Sequence, residues 1–317
     1  DQARSRARIE AEAEMERFIS ASGLDGRPLV PIIDYGYAPS RLHEKARALV
    51  DGFAEQQCAR HYAGTRGVGL FGDMPIFVAH DSADVWAQPD YFLLDASGQP
   101  TVIAGVPPDY FSAEGQLWNM PHYCWDVLAV QGYGRWIDRI RRQREWFDLI
   151  RIDHFRGFES AWAVPAGAPN AVHGFWQPGS GAALFAAIET ALGPQALVAE
   201  DLGLITPEVD ALRLALRMPG MRVLQFAFDS DAQNPHLPHN FEPLTVVYPG
   251  THDNPTTCGW WQELPESRQE EIKAYLGCVT TTMPEALIRV ALASVARIAI
   301  VAFQDLLGLG DEARMNT

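Results

Sequence analysis

The run Leu149-Ile150-Arg151-Ile152-Asp153-His154-Phe155 places an arginine and an aspartate two residues apart inside an otherwise apolar segment. In a strand the side chains alternate between faces, so Arg151 and Asp153 share one face while Ile150 and Ile152 take the other. The same format, a short apolar strand closed by an acid, returns twice: Ala196 to Ala199 leads into Glu200, and Thr245 to His252 leads into Asp253. Apolar runs of this kind predict strands at about 68–77, 147–154, 196–201, 222–228, 244–251 and 298–304. Between them, amphipathic spacing predicts helices near 126–146, 181–193, 207–217, 267–277 and 284–296, with Gly193-Pro194 and Thr206-Pro207 as stop and start signals. Further upstream, residues 1 to about 20 read as a charged helix and about 40–62 as a second helix.

Strands alternating with helices imply right-handed crossovers and a parallel sheet. Asp73, Asp153, Glu200, Asp229, Asp253 and Asp305 all fall in or at the ends of the expected strands. In a (β/α) barrel the C-terminal strand ends gather the catalytic side chains on one face. A doubly wound sheet would also place ligands at strand ends, but no GxGxxG or GxxxxGK loop marks a nucleotide site here. The expected fold is α/β: an incomplete (β/α)8 TIM-type barrel with about six recognisable strands, the first strands missing. The expected division is a helical segment at 1–62 and a catalytic barrel at 63–317, with a loop insertion at about 79–125.

With 317 residues, of which 47% are hydrophobic, the chain can bury a sizeable core. A net charge of -15 argues against nucleic acid or an anionic membrane as partner. The sequence holds no apolar run near the roughly 20 residues that span a bilayer, and no signal-peptide core at its start. Cys58, Cys124, Cys258 and Cys278 lack metal or disulfide spacing. A cytoplasmic protein with reduced thiols is expected. Neither His80, Asp81 and Asp84 nor His236 and His239 form a tight zinc or calcium pattern, so no metal and no cofactor is expected. A serine nucleophile has no GxSxG support.

Two carboxyl groups at neighbouring strand ends suit glycoside cleavage, in which one attacks the anomeric carbon and the other protonates the leaving oxygen. Asp153 beside Arg151 suits the ionised nucleophile. Glu200, followed by Asp201, suits the proton donor if repulsion between the two carboxylates raises its pKa. Each acid taken alone also fits a helix cap or a loop salt bridge, and His154 and His252 also fit buried, hydrogen-bonded roles. Aromatics in Gly- and Pro-rich contexts, Trp118 among them, offer flat faces for sugar rings, although core packing suits any single one as well. The stretch Ala104 to Ser112 reads as a proline-stiffened apolar loop that could cover a bound glycan.

At these residues the chain resembles the 4-α-glucanotransferases known as amylomaltases or disproportionating enzymes, of the α-amylase clan. The resemblance rests on Gly72 to Trp86, Ala104 to Ser112, Arg151 to Gly157, Ala199 to Gly203, Thr251 to Asn254 and Gln304 to Asn316. It implies Asp153 as nucleophile, Glu200 as general acid/base and Asp253 as transition-state stabiliser. It further implies glucan contacts at Arg151, His154, His252, Trp118, Asp109, Pro108, Asp73, Asp201 and Asn254. The implied partners are α-1,4-glucans and maltooligosaccharides, and the implied reaction is retaining transfer to an acceptor hydroxyl. An amylase-type hydrolase and an inactive glucan-binding fragment stay open as alternatives. Against the family pattern the chain reads as truncated, lacking the first barrel strands.

Overall fold

The computed structural model describes residues 58–108, 112–277 and 281–315. Nearly all of the expected helical segment at 1–62 therefore lies outside the described residues, as does Asp109. The chain divides into two compact units, the first running to Arg151 and resuming over 161–196, the second comprising 152–160 and the chain from Leu197.

In the first unit β1 (Phe71–Pro75) lies beside the start of β4 (Leu149–Asp153). Gly72 is required there, because a Cβ would sit 2.1 Å from the Phe147 ring. The larger part of the unit is an antiparallel sheet in the order β3-β2-β5-β6, from β2 (Val102–Val106), β3 (Gln116–Pro121), β5 (Ser160–Pro165) and β6 (Phe175–Pro178). Gly105 pairs with Leu117 on one side and Trp162 on the other. The stretch expected as a loop from Ala104 is thus strand as far as Val106. Gly105 is a site of close approach rather than a turn: a Cβ would stand 2.2 Å from the Gln116 carbonyl oxygen. The insertion at 79–125 likewise carries its own elements, including α1 (Ala83–Ala87).

The expected helix at 126–146 is two helices, α2 (Trp125–Val130) and α3 (Gly134–Trp146), broken where Gly132 and Tyr133 adopt positive φ. Tyr123 stacks on Phe77, meets Trp136 edge-on and donates its hydroxyl to the Ile76 carbonyl at 2.8 Å. At 4% exposure it belongs to the core and not to a sugar platform. α4 (Gly181–Leu192) closes the unit, burying Leu184, Phe185 and Ile188 at helical spacing.

In the second unit, β7 (Leu197–Ala199) lies beside the end of β4, and β8 (Gly220–Val223), β9 (Thr245–Tyr248) and β10 (Ile298–Ala299) pair in parallel. All four residues of β9 are buried, which is why its sequence is unbroken by polar alternation. The helices are α5 (Pro207–Ala215), α6 (Thr257–Glu263), α7 (Glu266–Leu276), α8 (Met283–Ala293) and α9 (Phe303–Leu306). α5 starts at Pro207, where a missing N–H costs nothing. Met283, Leu287 and Ala291 of α8 pack with Leu224, Val247 and Ile272.

Two strands are shorter than the sequence suggests. The apolar run at 222–228 gives only the end of β8 and then a 3-10 turn, Leu224–Phe226, and the run at 298–304 gives two strand residues before α9 begins. Burial explains the first: Leu224 is fully buried but in a turn, so its hydrophobicity reports the core and not the strand.

Candidate active site

The second unit brings Asp153 and Glu200 together through the backbone. The Glu200 N–H donates to the Ile152 carbonyl at 3.0 Å, and the Phe155 N–H donates to the Glu200 carbonyl at 3.2 Å, so the two acids stand on adjacent, hydrogen-bonded segments. His154, between Ile152 and Phe155, has φ 51°, a left-handed conformation that a non-glycine residue holds only when its surroundings impose it. The imposing contact is visible: the His154 N–H donates to Glu200 Oε2 at 2.7 Å. Glu200 Oε1 accepts the Leu202 N–H at 2.8 Å. Two backbone donors, one of them from the residue after Asp153, therefore fix the orientation of the carboxyl of Glu200, a residue only 8% exposed.

The next acid is engaged elsewhere. Asp201 is buried, its Oδ1 accepts the Met221 N–H at 2.6 Å, and its Oδ2 meets Arg213 at 3.3 Å and Arg222 at 3.1 Å. Burial pushes this carboxyl up, against the pull of Arg222, the Met221 N–H and Arg213. With its charge balanced by two guanidinium groups, Asp201 is a poor source of repulsion toward Glu200 and stands as a brace between β7, β8 and α5. Arg222 carries the signature already seen at Arg151, an arginine inside an apolar strand, and that signal was available for finding it.

Asp253 follows β9 in a turn closed by Thr251 and Asn254, whose Oδ1 accepts both the N–H and the hydroxyl of Thr251 at 2.8 Å. Its side chain is 60% exposed, with Oδ2 3.4 Å from His252 Nε2. The remaining expected contacts lie in the first unit. Arg151 is 8% exposed and holds Asp73 Oδ2 at 2.6 Å. Trp118 donates its indole N–H to Gln116 and sits 6.4 Å from Phe77, and Pro108 is exposed.

Other acids at expected strand ends prove to hold backbone or side chains in place. Asp229 accepts from the Asn234 amide, and Asp305 is buried against Thr257. Among the described residues no group of three His, Cys, Asp or Glu is arranged to hold a metal ion. His80 is bonded to the Gly98 carbonyl, Asp84 is paired with Arg135, and His236 accepts the Val223 N–H. No helix of the described residues is long and apolar enough to cross a membrane.

The family described as 4-alpha-glucanotransferase (Glyco_hydro_77) matches residues 46–317. A 4-alpha-glucanotransferase of Synechocystis is 53% identical over 269 residues, covering 84% of this chain and 53% of that protein. One of Thermus thermophilus is 51% identical over 258 residues, covering 79% and 52%. Among solved structures, an amylomaltase from Streptococcus agalactiae in complex with acarbose superposes with a TM-score of 0.80 at 35% identity, covering 88% of this chain and 58% of that one. The chain spans about half the length of the curated relatives it matches. With these likenesses the α/β fold is of the TIM-barrel type, with part of the strand set present.

Proposed function

Because the chain belongs to the family of 4-alpha-glucanotransferases, we propose that it moves α-1,4-glucan segments onto the 4-hydroxyl of an acceptor glucan or glucose by a retaining double displacement. Asp153 attacks the anomeric carbon as the glycosidic C–O bond breaks, and Glu200 gives its proton to the departing 4-oxygen. The resulting glucosyl ester on Asp153 is then displaced by the acceptor 4-hydroxyl, whose proton passes to the Glu200 carboxylate, restoring both groups. Asp253 and His252 bind sugar hydroxyls as the oxocarbenium-like state forms.

The observation that carries this reading is the bond from the His154 N–H to Glu200 Oε2. It ties the proton donor to the backbone of the residue that follows the nucleophile. The donors on Glu200 are backbone groups, which hold geometry better than mobile side chains.

Incubation with maltotriose tests it. The expected product is a ladder of longer maltooligosaccharides, with Glu200→Gln slowing the reaction by about 10²–10⁴-fold. Glucose and maltose alone would replace the proposal with an amylase-type hydrolase. Glucan binding without turnover, unchanged in Asp153→Asn, would replace it with a non-catalytic binding fragment.

A further inference from the structure

Between β9 and α6 the main chain is tied down at almost every step. The Asp253 carbonyl accepts from Arg314 Nη2 at 3.4 Å, and the Pro255 carbonyl from Gln225 Nε2 at 3.0 Å. The Thr256 N–H donates to Asp311 Oδ1 at 2.7 Å. Thr257 gives Asp305 both its N–H and its hydroxyl, each at 2.8 Å. The Gly259 N–H goes to the Thr256 hydroxyl at 3.1 Å.

Part of this is what any helix start requires, since the first N–H groups of α6 have no partner within the helix. The rest exceeds it. One short side chain at the cap satisfies one of those groups, as Thr256 does for Gly259. Here two further carboxylates from a segment some fifty residues on are committed to the same place. Asp305 is 3% exposed, and a carboxylate is costly to bury unless its oxygens are bonded. The fit is also tight from the helix side: a Cβ on Gly259 would lie 2.2 Å from Asp311 Oδ2.

We propose that Asp305, Asp311 and Arg314 are positioning residues, which set where Asp253 stands by clamping the backbone from its own carbonyl to Thr257. The inference rests on the transferase reading, in which Asp253 binds sugar hydroxyls. An exposed side chain on a loop has little packing of its own to place it, so its precision comes from the main chain beneath. Displacement of a substrate-positioning group by about 1 Å can cost on the order of 100-fold in rate.

The test is a mutant cycle on maltotriose disproportionation, read as kcat and KM beside thermal unfolding. Asp311→Ala lowers kcat by up to about 100-fold with little change in KM. Asp311→Asn, which keeps an Oδ acceptor for the Thr256 N–H, recovers most of the loss. In an Asp253→Asn background Asp311→Ala costs nothing more, because its effect runs through Asp253. If Asp311→Ala does not fold, Arg314→Met takes its place in the same cycle. Equal losses in the two backgrounds would overturn the clamp while leaving the transferase reading intact. A parent protein that neither transfers nor hydrolyses would overturn both.

Discussion

The antiparallel sheet of the first unit and the strand-end acids of the second hold their backbones in place by different means. In the first, strands approach because side chains are missing: Gly105 faces the Gln116 carbonyl, Gly115 at φ +67° faces the Val106 carbonyl at 2.3 Å from a would-be Cβ, and Gly174 lies under the Trp162 ring. In the second, carboxylates reach onto backbone N–H groups: Glu200 onto His154 and Leu202, Asp201 onto Met221, Asp305 onto Thr257 and Asp311 onto Thr256. The first unit should therefore be sensitive to added volume and the second to removed charge. A site needing fixed acids gains from the second arrangement, since backbone donors orient a carboxylate without spending a mobile side chain.

The largest expected effect is Asp201→Asn. It takes the shared carboxylate from Arg222 and from Arg213, which is 4% exposed and keeps only the more exposed Asp210, and breaking a buried ion pair costs up to about 3–5 kcal/mol. The denaturant midpoint should fall sharply with its slope unchanged. The sequence resemblance offered Asp201 as a glucan contact instead. On that view the substitution raises KM and leaves the midpoint where it was, and the comparison between units would lose its clearest member.

Gly105→Ala tests the other half. A methyl 2.2 Å from a carbonyl oxygen of the neighbouring strand forces β2 and β3 apart, at about 1–3 kcal/mol. Hydrogen exchange localises the damage: the Val106 and Leu117 amides lose protection while those of Val246 and Val247 keep it. Loss spread evenly over all four would mean that the units do not respond separately.

The same contrast explains what could be read in advance. The acids of the second unit were legible because each ends a short apolar run, and parallel strands buried on both faces leave that signature undiluted. Asp201, Asp229 and Asp305 share it and yet brace the structure, because a strand-end position fixes where an acid stands but not which way it turns. Pairing of Asp201 with Arg213 and Arg222 depends on contacts 12 and 21 residues away, which no local pattern encodes. The antiparallel sheet was hidden for a different reason. Gly105 and Pro107-Pro108 are turn residues by habit, and only the position of Gln116 reveals that the glycine admits a neighbouring backbone. Likewise the apolar run after β8 marked burial, not strand.

Acid titration is the smallest effect and the one in which the units should behave alike. Each holds a neutral imidazole. His122 in the first, 1% exposed and 5.1 Å from the Phe77 ring, is lowered to about 4 by burial, against the opposing hydrogen bond with the Trp162 carbonyl. His236 in the second is lowered to about 4 by burial and by Arg222, and its Nδ1 must stay unprotonated to accept the Val223 N–H at 3.0 Å. Both folded values lie below the unfolded 6.5, so the unfolded chain takes up protons first as the pH drops. The contribution is complete above about pH 6.5 and is lost between there and about pH 4. At about 1.4 kcal/mol per pH unit for a group shifted this far, each costs at most about 2 kcal/mol by pH 5. Unfolding midpoints at pH 7 and pH 5 should show the parent losing stability, His122→Phe and His236→Asn each losing less, and the double variant least. A histidine whose replacement leaves the acid loss unchanged is protonated in the fold, and for His236 that would also mean that the bond to Val223 does not hold the end of β8.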